Sequence, residues 1–215
     1  MILPIFYIFL VIVCILPIAP GVLGVLSASL SYMPSIGLST FSLDGYLSAL
    51  EWSGVSHSIF LTLTSAFVST FVSCIVAFAI LQATWQQPVW KKVEPLLSPL
   101  LAMPHVAFAI GFAFLFSPTG MIARLLNPFW VFEFPVIIND AANIGLILVL
   151  IIKEVPFLLL MSIPIMQQLQ VDKSERVAAS LGYQRHQIWW KCIFPQWLRK
   201  ARFPILAVIA YSVSV

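Results

Sequence analysis

No charged side chain stands before Asp44, and residues 2–26 are almost continuously apolar. A helix rises about 1.5 Å per residue, so about 20 apolar residues cross a hydrocarbon core of about 30 Å. Inside lipid every backbone N–H and C=O must be satisfied by the chain itself, which a helix does within one segment. Residues 2–26 therefore read as a first span. Ser27-Ala28-Ser29 has the small residues of a signal-peptide cleavage site. The stretch before it lacks a basic start, however, and exceeds an h-region of about 7–15 residues. Further runs at 58–81, 96–116 and 137–163 read as spans two to four. A fifth, 203–215, is too short to cross, so the expectation is a chain truncated in its fifth span.

Composition agrees. The chain is 61% hydrophobic and 9% charged over 215 residues, against about 45–50% and about 25% in soluble domains. Too few charges are present to cover a soluble surface, which excludes a soluble enzyme, a disordered tail and a DNA-binding domain. No nucleic-acid partner is expected. The fifteen prolines fit bundled membrane helices, where neighbours satisfy the freed backbone groups. The fold class expected is an all-α polytopic membrane protein. Cys14, Cys74 and Cys192 lie far apart without a CxxC pair and read as small buried hydrophobes.

Basic residues set the orientation. Lys91 and Lys92 follow span two. Lys173, Arg176, Arg185, Lys191, Arg199, Lys200 and Arg202 follow span four, while the loops after spans one and three hold only Arg124. By the positive-inside rule the second and fourth loops are cytoplasmic and the N-terminus is inside. All seven tryptophans lie in or beside loops, as in an aromatic belt. In the outer loop, Asp44 is expected to cap a short helix laying Tyr46, Leu47 and Leu50 on the bilayer surface. Ser65, Ser69, Ser73 and Ala77 recur at spacing four, a small-residue stripe that suits close helix packing more than a pore lining.

Three residues inside the spans are candidates for a translocation path. A charge at mid-span costs about 2.5–3.5 kcal/mol on insertion scales, so Lys153 and Glu154 should not face lipid. Neighbours on a helix point about 100° apart and do not pair face to face, so each should seek a partner on another helix or a water-filled path. An internal structural ion pair is the competing reading. His105, after Pro104, reads mainly as a helix-packing donor. No histidines share a helix at haem- or metal-ligand spacing, so no metal is expected. Asn139 and Asp140 read as caps of span four.

The most informative stretch is VDKSERVAASLGY at 171–183, continuing QRHQIWWKCIFP to Pro195. Asp172 and Glu175 stand at capping-box spacing, and Gly182 is placed for a left-handed helix stop. A helix this short is unstable alone in water and must be held by the membrane domain or a partner. Ala178 and Ala179 leave a nearly bare face, suited to close approach by another protein.

This loop resembles the cytoplasmic loop of binding-protein-dependent ABC importer permeases, whose pattern is E-A-A, three residues, G, nine residues, I-x-L-P. Aligned on Gly182, Pro195 stands at the final proline and Ser180-Leu181 supply the usual lead-in. The glutamate position falls on Arg176, with Glu175 one place early, and the alanine positions fall on Val177 and Ala178. Cys192 takes the place of the usual isoleucine. Phe41 to Tyr46 (FSLDGY), Leu101 to Val106 (LAMPHV), Pro156-Phe157 and Ile163-Pro164 resemble further stretches of the same permeases. The nearest likeness is to the first half of two-half permeases of the thiamine, polyamine and iron(III) group.

The resemblance implies a type I permease-like helical bundle in the bacterial inner membrane. It implies a coupling loop over 166–200 in which Glu175, Arg176, Ala178, Ala179, Gly182 and Pro195 engage a separate ATPase. The implied partners are ATPase subunits, an extracytoplasmic solute-binding protein and a second permease half, fused C-terminally. The chain has no G-x-x-x-x-G-K-[ST], so ATP and its magnesium belong to the partner and the chain holds no cofactor. The function expected is the channel subunit of an ATP-driven importer of a small solute. A non-transporting membrane scaffold or assembly subunit, or a membrane redox subunit, is the alternative.

Overall fold

The computed structural model describes residues 2–126 and 140–215. Asn139 and Trp130 lie outside the described residues. Among those described, every regular element is a helix and the one β-bridge is Met33 with Leu38. The chain is an all-helical membrane protein. It divides into two units, Met1–Ile59 and Phe60–Val215.

In the first unit, α1 (Ile2–Ile15) and α2 (Ala19–Ser29) are separate helices. The run read as one span is thus broken, and the described pair bends by 41°. Pro17 lies in the break and Pro20 in the first turn after it, and proline removes a donor and clashes with the preceding turn. A tight turn follows, with Gly37 at φ +86°, and it closes where Tyr32 stacks on Phe41 at 4.6 Å. Helix α3 (Asp44–Glu51) exposes Tyr46, Leu47 and Leu50. Asp44 does not cap it. The helix has Leu43 at its N-cap and no side-chain cap, and the backbone N–H of Asp44 donates to the Ser42 hydroxyl at 2.9 Å.

Helix α4 (Val55–Thr84) runs on through the second unit. Ser65, Ser69, Ser73 and Ala77 are all buried, so the small-residue stripe faces protein. The run read as span three is two helices, α5 (Trp90–Ala102) and α6 (His105–Phe116), because Pro104 cannot donate across the junction. Helix α6 continues after a brief turn into α7 (Met121–Leu126). Helix α8 (Ile144–Gln168) starts later than the 137–163 run suggested and extends beyond it. Among the described residues three helical stretches are long and apolar enough to cross a membrane: Val55–Thr84, His105–Leu126 and Ile144–Gln168. The bent α1–α2 pair makes a fourth if counted as one span.

After α8 come α9 (Val171–Ser180), α10 (Arg185–Ile188), a π-helical turn (Trp189–Ile193), α11 (Phe194–Lys200) and α12 (Arg202–Ser214). Their core is aromatic. Phe78 of α4 is fully buried, with Trp189, Trp190, Phe194 and Trp197 at 5.7, 5.2, 4.9 and 5.4 Å between ring centroids. Trp189 and Trp197 are therefore packed core residues and not belt residues at a lipid interface. Trp197 also donates its indole N–H to Ser162 Oγ at 2.8 Å, joining α11 to α8. Edge-to-face pairs of this kind add about 0.5–1.5 kcal/mol beyond the area they bury.

Asp140 precedes α8 and accepts from the backbone N–H of Ile144 at 2.8 Å and of Gly145 at 3.2 Å. Those bonds hold its carboxyl below the ordinary aspartate range, with the Ile144 N–H as the largest cause. The charged form is the one stabilised, so the contribution is complete above the unfolded-state pKa and disappears as pH falls through the lowered folded value.

Two outcomes follow from this packing. Phe78→Ala empties the centre of the aromatic cluster and should cost about 3–5 kcal/mol, read as a lower thermal midpoint of the purified protein in detergent with a loss of tryptophan fluorescence change on unfolding. The gap in midpoint between wild type and Asp140→Asn should be constant above about pH 5 and close on further acidification; a gap that widens in acid would contradict the cap.

Candidate functional site

The cytoplasmic-loop candidates sit on α9 and the turn after it. Gln170, with φ +48°, precedes the helix and offers no side-chain cap. Asp172 is not the N-cap, and the expected Asp172–Glu175 capping box is absent. Both carboxylates are drawn to other groups. Asp172 Oδ1 accepts from the indole N–H of Trp85 at 3.3 Å. Glu175 Oε2 accepts from the indole N–H of Trp189 at 3.4 Å, and its Oε1 forms an ion pair with Arg185 Nε at 3.2 Å. Arg185 also donates through Nη2 to the carbonyl of Trp85 at 3.2 Å and lies over the Trp189 ring at 5.7 Å. The acidic residue one place early in the motif is thus the one tied to the loop's own scaffold, while Arg176 is left exposed.

Gly182 closes the helix. Its φ is +85°, its N–H donates to the carbonyl of Ala179, and the N–H of Tyr183 reaches back to that of Ala178. This is the Schellman arrangement, which favours glycine because other residues are strained at that angle. Pro195 enters at the start of α11, just beyond the π-helical turn. A proline ring inside an α-helix collides with the carbonyl four residues earlier, and a widened turn relieves that contact.

The two alanines divide. Ala178 packs against the aromatic core, and Ala179 is exposed on a polar pocket with Trp85, Asp172, Glu175 and Arg185. Sequence reasoning missed the apolar residues that the loop offers outward. Val177 is 62% exposed, Leu181 72% and Tyr183 56%. With Ala178, Ile188 and Cys192 they line a groove of about 600 Å³, edged by Lys173 and Lys191. The signal was present as Val177 and Leu181, one helical turn apart on a helix otherwise polar.

The membrane candidates diverge as neighbouring helix positions must. Lys153 and Glu154 are 4% and 3% exposed and do not pair with each other. Lys153 Nζ donates to the carbonyls of Leu100 at 2.9 Å and Met103 at 2.7 Å, and it lies 5.5 Å from the Phe108 ring centroid. It thereby supplies donors where Pro104 breaks α5 from α6. Glu154 Oε1 accepts from Ser212 Oγ at 2.5 Å and shares the Ser69 hydroxyl proton, at 3.1 Å, with the carbonyl of Ala66; its Oε2 has no partner among the described residues. The internal ion-pair reading is corrected: each charge is bonded to another helix. His105 stands at the start of α6 with its ring 4.4 Å from that of Tyr211. His105, Lys153 and Glu154 line one cavity of about 260 Å³ together with Leu101, Phe157 and residues of α12. Among the described residues no three His, Cys, Asp or Glu side chains are grouped to hold a metal ion.

Helices of spanning length, two buried charges between them and a packed loop helix define an all-helical membrane protein. The chain is similar to the inner membrane ABC transporter permease protein YnjC of Escherichia coli (strain K12), at 30% identity over 190 residues, 86% of this chain and 36% of that protein. It is also similar to the sulfate transport system permease protein CysT of Synechocystis sp. (strain ATCC 27184 / PCC 6803 / Kazusa), at 25% identity over 189 residues, 87% of this chain and 59% of that protein. The chain thus spans about a third of the one relative and under two thirds of the other. No family model matches it, and no solved structure matches it. Both relatives are permease proteins by name.

Lys153→Met should leave the carbonyls of Leu100 and Met103 without their donor, at about 1–3 kcal/mol for each buried group. Faster backbone hydrogen exchange confined to 100–106 is the expected readout, and unchanged exchange there would contradict the capping role.

Proposed function

We propose that the chain is a membrane channel subunit of an ATP-driven ABC importer, moving a small solute across a bacterial inner membrane. The observation that carries the reading is the loop helix α9. It and the turn that follows expose Val177, Leu181 and Tyr183 to the outside while Glu175, Arg185 and Trp189 fasten it to the aromatic core around Phe78. An apolar patch on a short helix that is rigidly joined to a long apolar helix suits transmission of force from a docked partner. The Gly182 to Pro195 spacing and the names of the two relatives support the same reading.

In this proposal the loop docks on a separate ATPase, which binds ATP with magnesium. Glu175 and Gly182 shape the helix, Pro195 sets the exit of the chain, Val177 and Leu181 offer the apolar face, and Arg176 and Ala179 are exposed on the neighbouring polar face. ATP-driven closure of the partner pushes the loop and rocks the helices, so the chain performs no hydrolysis itself. His105, Lys153 and Glu154 border the path of the solute. The further partners are an extracytoplasmic solute-binding protein and a second permease half. The lysines and arginines after α4 and α8 favour a cytoplasmic position for both those loops, with the N-terminus inside.

Affinity purification of the tagged full-length protein in mild detergent, with crosslinking, tests the proposal. An ATPase subunit should be captured with it. Leu181→Glu should abolish capture while leaving the thermal midpoint unchanged, and Gly182→Glu should abolish it with a lowered midpoint. A protein that crosslinks to no ATPase would replace the transporter reading with that of a membrane scaffold.

A further inference from the structure

Between α4 and the segment formed by α11 and α12 lies an open groove of about 340 Å³. Phe67, Phe71 and Ile75 of α4 line one wall, and Leu198, Ile205 and Ile209 line the other. These side chains are aromatic or aliphatic. They offer a polar ligand no partner and a hydrocarbon chain a continuous apolar contact. One end of the groove is cationic. Arg199, Lys200 and Arg202 follow Leu198 directly in the chain and are exposed, and among the described residues none of them has an acidic partner. The Arg202 guanidinium lies over the exposed Phe203 ring at 4.8 Å, at the edge of the apolar surface. Two contacts fix the level of this charge. Phe194 packs on Phe78 at 4.9 Å, and Ser212 shares Glu154 with Ser69. The segment therefore runs antiparallel to α4, and the three cations lie between these marks, nearer the first. The exposed large apolar side chains of α4 end at Ile75. Apolar surface suited to lipid tails thus stops where the cations begin.

We propose that this groove seats one anionic phospholipid, with its phosphate held by Arg199, Lys200 and Arg202 and an acyl chain lying between Phe71 and Ile205. Basic side chains at the membrane boundary attract anionic headgroups, and the arginine fork matches phosphate oxygens in pairs. The binding stands apart from the importer reading; only its placement in the cytoplasmic leaflet depends on the orientation proposed above. A zwitterionic lipid brings the same chains, but its own ammonium offsets the phosphate. A free phosphate brings the charge without the chain. A further helix laid in the groove would cover the apolar wall and leave the cations without a counter-charge.

Native mass spectrometry of the purified full-length protein in mild detergent tests this, with phosphatidylglycerol and phosphatidylcholine of the same acyl chains added in equal amounts. One phosphatidylglycerol should stay bound, favoured by about tenfold or more. Arg199→Gln, Lys200→Gln and Arg202→Gln together should abolish the preference. Lys91→Gln with Lys92→Gln, which removes charge from the other basic loop, should leave it unchanged. Leu198→Trp, which fills the groove from an exposed position, should reduce retention of both lipids. All of these positions are exposed, so folding is not at stake. Phe71→p-benzoylphenylalanine should photo-crosslink to lipid. Equal retention of the two lipids, a preference kept in the triple variant, its loss in the Lys91 and Lys92 variant, or full retention in Leu198→Trp would overturn the assignment. So would displacement of the bound lipid by an equal concentration of glycerol 3-phosphate, which would reduce the site to a phosphate site, or a crosslink from position 71 to protein, which would place a helix in the groove.

Discussion

A membrane interior leaves no backbone carbonyl a second chance at a hydrogen bond, and the arrangement around Pro104 depends on that constraint. Proline ends the ladder between α5 and α6, and the ammonium of Lys153 reaches from α8 to the carbonyls of Leu100 and Met103. A residue costly to insert becomes the group that makes a broken helix tolerable. Because Lys153 is committed to that side, the next residue faces the other way, and Glu154 meets Ser69 of α4 and Ser212 of α12. Two adjacent positions on one helix thus bring three other helices, α4, α5 and α12, to a common point.

The second organising element is aromatic. Phe78 is enclosed by rings from the chain that follows α9, and Trp197 adds a polar tie to Ser162 of α8. The loop helix is joined to this cluster through Glu175 and Trp189. Motion of α9 is therefore coupled to α4 by packed side chains and to α8 by a hydrogen bond, without a long flexible connection between them.

Much of this was legible in the residues. Length and apolarity gave the helical membrane class, and Gly182 announced a left-handed helix end. The buried position of the Ser65–Ala77 stripe followed from its spacing. Other features depended on contacts between distant segments. Asp172 and Glu175 have capping spacing, yet indole N–H groups of Trp85 and Trp189 compete for both, and no local pattern reveals that competition. Tryptophans beside loops fit a belt as well as a core until the partner ring, Phe78, is known. The separate destinations of Lys153 and Glu154 were foreseeable from helix geometry, but their acceptors and donors were not. The break within 96–116 was marked by Pro104, although a proline in a membrane helix does not by itself distinguish a kink from an interruption.

The π-helical turn at Trp189–Ile193 also fixes how this segment tolerates change in length. Trp189, Ile193, Trp197 and Ala201 are all buried, at a repeat of four. On an α-helix such a repeat drifts by about 40° at each step, and the wide turn absorbs part of that drift. The segment therefore stores one residue more than an α-helical pitch would hold. Deleting a single residue there would leave a helix possible but rotate Trp197 away from Ser162 and Phe78. For this stretch the number of residues, as well as their identity, sets which rings meet.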